Sequence, residues 1–138
     1  MRNLVLLLLA LLPAGVTAQT SRYKEGQVWA YRTRPGDEGS LLKIQQVDQS
    51  SRGLVYHLSV IGFHFHAPGF AGVLPHEPVS QATLDASVTE QRPDPGTFPS
   101  ADEGITEWRA AHGGVFTITI AQTLDMMDRT LTERTASP

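Results

Sequence analysis

The chain has 138 residues, 41% of them hydrophobic and 18% charged, with 11 Lys and Arg against 14 Asp and Glu and no Cys. A net charge of −3 supplies no basic face for nucleic acid or an anionic membrane. The lack of thiols excludes disulfides and cysteine catalysis, and the length suits one domain with one hydrophobic core.

Residues 1–18 read as a signal peptide. Arg2 gives a short positive start, an unbroken apolar run, LVLLLLALL, begins at Leu4, and Pro13 and Gly15 break it before Val16-Thr17-Ala18. The run is shorter than the ~20 residues a spanning helix needs, so no membrane span is expected after cleavage. Residues 19–138 are then a single exported domain, periplasmic or secreted. Because Arg2 leaves with the leader, the mature chain is one charge more acidic.

Three strands are expected first. In residues 27–34, Val28 and Ala30 point one way and Trp29, Tyr31 and Thr33 the other. Pro35-Gly36 suits the centre of a type II turn, with Pro setting φ and Gly supplying a positive φ. A second strand covers 40–48. A polar turn, QSSRG, leads to a third over 54–65, with Leu54, Tyr56, Leu58 and Val60 on one face and Val55, His57, Ser59, Ile61, Phe63 and Phe65 on the other. Gly62 marks a bulge or bend.

Residues 67–78 are rich in Pro and Gly and read as a loop. A helix should start at Ser80 as N-cap, with Val79 stapled to Leu84 and Val88 sharing its face. Three prolines between Arg92 and Ser100 exclude regular structure there. Ser100 and Glu103 then read as a capping box, with Ile105, Trp108 and His112 on one face and Gly113-Gly114 as the stop. Residues 115–122 alternate as a fourth strand that buries Phe116, Ile118 and Ile120. Leu124, Met127 and Leu131 suit a short terminal helix, and the remaining tail reads as disordered. The order β-β-β-α-α-β predicts an α+β fold: an antiparallel sheet of about four strands with two helices packed on one face.

The sharpest metal candidate is His64-Phe65-His66, whose imidazoles project to one side of an extended segment. His76 beside Glu77 is a possible third ligand, and together they match a zinc site with an open position. The rival reading is a polar strand end entering a loop. The turn Arg34-Pro35-Gly36-Asp37-Glu38 sets two carboxylates beside an arginine, suited to a basic partner, although turns carry such residues for solvation alone. Trp29 and Tyr31 head an aromatic set that would bind a partner if the sheet face opposite the helices were open. His112 has no visible partner for acid–base work. No G-x-S-x-G elbow, P-loop, dinucleotide fingerprint or HExxH occurs, so no catalytic residue is assigned.

The stretch GQVWAYRTRPGDEGSLL, beginning at Gly26, resembles a G-x-V-W-x-Y-x-T-R-P-x-E-x-x-S pattern found just after the signal peptide in small exported proteins of Gram-negative bacteria, an uncharacterised group. The resemblance extends through the third strand to LPHEPVS, ending at Ser80, roughly two-thirds of the mature chain. It implies an exported bacterial domain and carries over no catalytic residue. Two functions follow as expectations. One is a non-enzymatic binding module of the inhibitor or immunity type, acting on another protein of the cell envelope through Trp29, Tyr31, Arg34, Asp37 and Glu38. The alternative is a metal-binding protein or small metal-dependent enzyme using zinc at His64, His66 and His76.

Overall fold

The computed structural model describes residues 21–136; the signal peptide expected over 1–18 lies outside them. The fold is α+β. One antiparallel sheet contains β1 (Val28–Tyr31), β2 (Leu41–Ser50), β3 (Gly53–Ile61), β4 (Val73–Ser80) and β5 (Val88–Arg92), in the order β4-β3-β2-β1-β5. Among the described residues three helices accompany it: α1 (Gln81–Ser87), α2 (Asp102–Ala110) and α3 (Ile120–Ala136).

The expected meander forms the centre of the sheet. Leu42 pairs with Trp29 and Val60, and Ile44 with Leu58, which places the expected apolar residues on one face. There Trp29, Tyr31, Leu42, Ile44, Tyr56, Leu58 and Val60 pack with Leu84 of α1 and Ile120 and Leu124 of α3. Full burial of each such aliphatic side chain is worth about 1.5–3 kcal/mol. The register slips between Ile44 and Gln46, so Gln45 is an extra residue that returns Val47 to the core side. The Pro35-Gly36 turn takes its expected form: Gly36 has φ +92° and the Asp37 N–H donates to the Arg34 carbonyl at 3.1 Å.

Two strands were hidden in the sequence, and both are edges. β4 carries Pro75 and Pro78, which removed it from a propensity reading, yet an edge strand tolerates residues without an N–H. β5 follows α1 directly. The helix ends at Ser87, and Val88 turns out to begin a strand along β1 rather than continue the helix. Ser80 is the N-cap, its hydroxyl accepting the Thr83 N–H at 3.2 Å.

The fourth strand expected over 115–122 shrinks to a single parallel bridge, Val79 to Phe116. A cap decides this. Thr119 and Gln122 make the reciprocal side-chain-to-backbone bonds of a capping box, Thr119 Oγ1 accepting the Gln122 N–H and Gln122 Oε1 accepting the Thr119 N–H. The chain therefore turns into α3 at Ile120, leaves Ile118 exposed, and stays helical through residues expected to be disordered. By contrast the box expected at Ser100 does not form. Ala101 is the N-cap, without a side-chain bond, and Ser100 Oγ accepts the Asp102 N–H instead. The C-terminal left-handed residue is His112 (φ 50°), not Gly113.

The helices lie on both faces of the sheet, not one. His57 follows Tyr56 and precedes Leu58, so it faces away from α1 and α3. There it meets Trp108 of α2 with ring centroids 4.8 Å apart. This second face is buried but polar. Ser59 Oγ donates to the Pro75 carbonyl at 2.7 Å, and Gln45 Nε2 donates to the Pro99 carbonyl at 2.9 Å. α2 approaches so closely that a Cβ at Gly104 would lie 2.5 Å from the His76 Cβ. Gly104→Ala is therefore expected to destabilise the protein by about 1–3 kcal/mol despite the better helix propensity of Ala. Gly114→Ala, where a Cβ meets nothing within 4 Å, is the control. Urea denaturation compares the two, and equal midpoints would show that α2 docks loosely.

Candidate functional site

α3 is the floor of two adjoining clefts, and the segment from Phe63 to Ala67 runs over it. Phe63 and Phe65 turn inward with their rings 4.8 Å apart, while the His64 and His66 side chains are exposed. That alternation follows the i, i+2 rule of extended chain. Phe65 borders both clefts. One, of about 510 Å³, is the more polar of the two, with Arg34, Asp37, His64, His66, Gln122 and Asp125 among its lining. Its neighbour, of about 460 Å³, is apolar and lined chiefly by Phe63, Phe65, Phe70, Leu74, Met126 and Leu131.

The polar cleft is held by one guanidinium between two buried carboxylates. Arg34 donates through Nε to Asp37 Oδ2 (2.8 Å), through Nη1 to Asp128 Oδ2 (3.1 Å) and through Nη2 to the His64 carbonyl (2.8 Å). Its guanidinium carbon lies 5.5 Å from the centre of the Phe65 ring. Asp37, expected on a solvated turn, is buried and accepts the His64 N–H at 2.8 Å. Asp128 accepts the His66 N–H (2.8 Å), the Ala67 N–H (3.3 Å) and the His66 Nδ1–H (2.8 Å). Burial opposes its ionisation, but these bonds and Arg34 outweigh burial and hold its pKa down at about 2. An ionised carboxylate only accepts, so His66 carries its proton on Nδ1 and presents Nε2 outward. His64 Nδ1 lies 3.6 Å from Asp37 Oδ1.

The residues singled out from the sequence separate into three places. Arg34, Asp37, His64 and His66 come together, and Glu38 is exposed on the same turn with Oε1 on the Gly36 N–H. Trp29 and Tyr31 do not join them. They are only 8% and 5% exposed, being core residues of the helix-covered face, so the aromatic surface expected there is closed. His76 is elsewhere too. It belongs to β4 and faces α2, where its Nε2 lies 2.8 Å from His57 Nδ1. Among the described residues no group of three or more His, Asp or Glu is placed to hold a metal ion, so the expected three-imidazole site is not assembled.

The buried His57 and the half-buried His76 form a hydrogen-bonded pair between the sheet and α2. His57 Nε2 lies 3.0 Å from Asp48 Oδ2, and Asp48 also accepts from Arg109 at 2.9 Å. With Nε2 donating to that carboxylate, His57 Nδ1 accepts from His76 Nε2. Burial lowers the pKa of both rings, that of His76 to about 4 with His57 adding to the effect. The pair is thus neutral at pH 7 and ties α2 to the sheet. On the other face Glu77 is fully buried, and among the described residues neither carboxyl oxygen has a hydrogen-bond partner of good geometry, although the Thr123 hydroxyl lies close enough to offset burial in part. The nearby Thr123 hydroxyl donates to the Thr119 carbonyl. Burial therefore pushes the Glu77 pKa up to about 7.

Asp128 was the residue sequence reasoning missed. Ile120, Leu124 and Asp128 recur at i, i+4, i+8, so a charge stands on the apolar stripe of the helix. Such a charge must find a partner, and that was the available signal. The apolar cleft had no local signal, since its walls come from residues 63–75 and α3. Comparison with known proteins adds nothing to this geometry: no family model, no curated protein and no solved structure matches the chain.

Proposed function

We propose that the protein is an exported, non-enzymatic binding module of the inhibitor or immunity type, which holds another protein of the cell envelope by seating an apolar side chain of that partner in the cleft beside α3. The observation that carries this reading is the exposure of large apolar groups at one place. Phe70, Val73 and Met126, all lining that cleft, are 49%, 43% and 47% exposed. Apolar surface concentrated in a groove with a polar neighbour is the usual anatomy of a protein contact. Methionines add a surface that repacks around its ligand. Asp125, a half-exposed carboxylate of the adjoining polar cleft, favours a partner with a basic residue beside the apolar one.

Phe70→Glu and Met126→Glu place charges in the cleft, whereas Val115→Glu does so at an exposed apolar residue outside it. The expected result is that a partner crosslinked in envelope extract and then purified binds the wild type and the Val115 variant alike. Its affinity for the two cleft variants should fall by at least tenfold, about 1.4 kcal/mol. Equal binding by all four proteins would refute the assignment of the surface.

A further inference from the structure

We propose that His64 and His66 chelate a divalent transition-metal ion of the imidazole-preferring kind, with Asp128 orienting the His66 ring and Asp37 fixing the His64 backbone. Three observations lead there, none of which depends on the apolar cleft. The first is projection. Phe63 and Phe65 lie together on the inner side of the segment, which sets the two intervening-register imidazoles side by side on the outer side, where both border one cleft. The second is orientation. The His66 ring sets Nδ1 2.8 Å from Asp128 Oδ2, which leaves its Nε2 as the outward lone pair, whereas Asp37 holds His64 through its backbone N–H at 2.8 Å, the His64 Nδ1 lying 3.6 Å away, too far for a hydrogen bond. Metal-ligating histidines characteristically donate the other ring N–H to a carboxylate in this way, which fixes the tautomer and raises ligand basicity. The third is rigidity. Asp37 and Asp128 are 1% and 4% exposed and share Arg34, so both anchoring carboxylates are fixed before an ion arrives.

Two imidazoles leave coordination positions open to water or to a ligand from another molecule. Zinc, copper(II) and nickel suit imidazole, whereas magnesium and calcium require oxygen ligands. His76 has no part in the site, because it is committed to His57 on the opposite face of the sheet.

The test is titration of the full mature chain with Zn2+ and with Cu2+, followed by calorimetry and by copper EPR. Wild type is expected to bind one ion, with two nitrogens coupled to the copper, and to ignore Mg2+ and Ca2+. His64→Ala and His66→Ala should each abolish the two-nitrogen signal. Both rings are exposed, so neither change threatens the fold. Asp128→Asn, assayed well below its melting temperature, should weaken zinc binding 10–100-fold. His76→Ala and His112→Ala should bind as wild type. No binding by wild type would overturn the proposal, and so would a copper site that survives loss of either ring, since that ion would sit on one imidazole alone.

Discussion

Glu77→Gln raises stability at pH 8 by about 2–3 kcal/mol and changes it little at pH 5. Gln keeps the shape of the carboxyl but cannot ionise. In the folded protein burial raises the Glu77 pKa from 4.5 to about 7, so the native state holds a proton that the unfolded chain has already released. Stability is therefore lost as pH rises from about 4.5 through 7, at roughly 1.4 kcal/mol per pH unit. The histidine pair on the other face has the opposite sign. His76 falls from 6.5 to about 4 and His57 is lowered as well, so the unfolded chain gains protons first and stability is lost as pH falls from 6.5 toward 4. The two trends overlap between about pH 4.5 and 6.5 and offset one another in the wild type. Removing Glu77 exposes the histidine limb alone: stability of the variant should climb from pH 4 to 6.5 and then level. Urea midpoints at pH 4.5, 5.5, 6.5 and 8 read both effects. If the variant tracks wild type at every pH, Glu77 is not a buried neutral acid.

Asp128→Ala removes the acceptor of two backbone N–H groups, one imidazole and Arg34 at once. Breaking a buried pair from one side costs about 3–5 kcal/mol, because the remaining charge and donors stay desolvated. Asp37 still holds Arg34, which places the expectation near the lower end of that range. Asp125→Ala is the comparison. Its carboxylate is 45% exposed and pairs with Arg129 on the helix surface, an arrangement worth less than about 1 kcal/mol. A loss no larger for Asp128 than for Asp125 would mean that the segment over α3 is held by its phenylalanines and the Arg34 and Asp37 bonds to His64, without Asp128. The acid limb gives an independent reading. A carboxylate held at about 2 contributes stability that is present above its usual value of 3.8 and lost as pH falls toward 2. That limb should be shallower in the Ala variant.

Much of the sheet could be read locally. Period-two patterning in β2 and β3 is imposed by burial of one face, so Leu42, Ile44, Leu58 and Val60 announced their side. Pro35-Gly36 announced its turn because the backbone angles demand those residues. Ser80 announced its cap. The misreadings have two causes: one depended on position within the sheet, the other on a competing local signal inside the same stretch. Pro75 and Pro78 argue against a strand until β4 is known to be an edge. Residues 115–119 have the pattern of a strand but find only one bridge, because the Thr119–Gln122 cap starts α3 first.

By itself, then, the amino-acid order determined the α+β class, the strand faces, the central turn and the thiol-free core, since each follows from interactions within a few residues. Only the tertiary structure decided that α2 crosses to the second face, that His76 pairs with His57 rather than with His64 and His66, and that Asp37 and Asp128 are buried around Arg34. Those outcomes join residues up to 94 positions apart. Which distant charge meets which is set by helix placement across the sheet, and no local spacing encodes that placement.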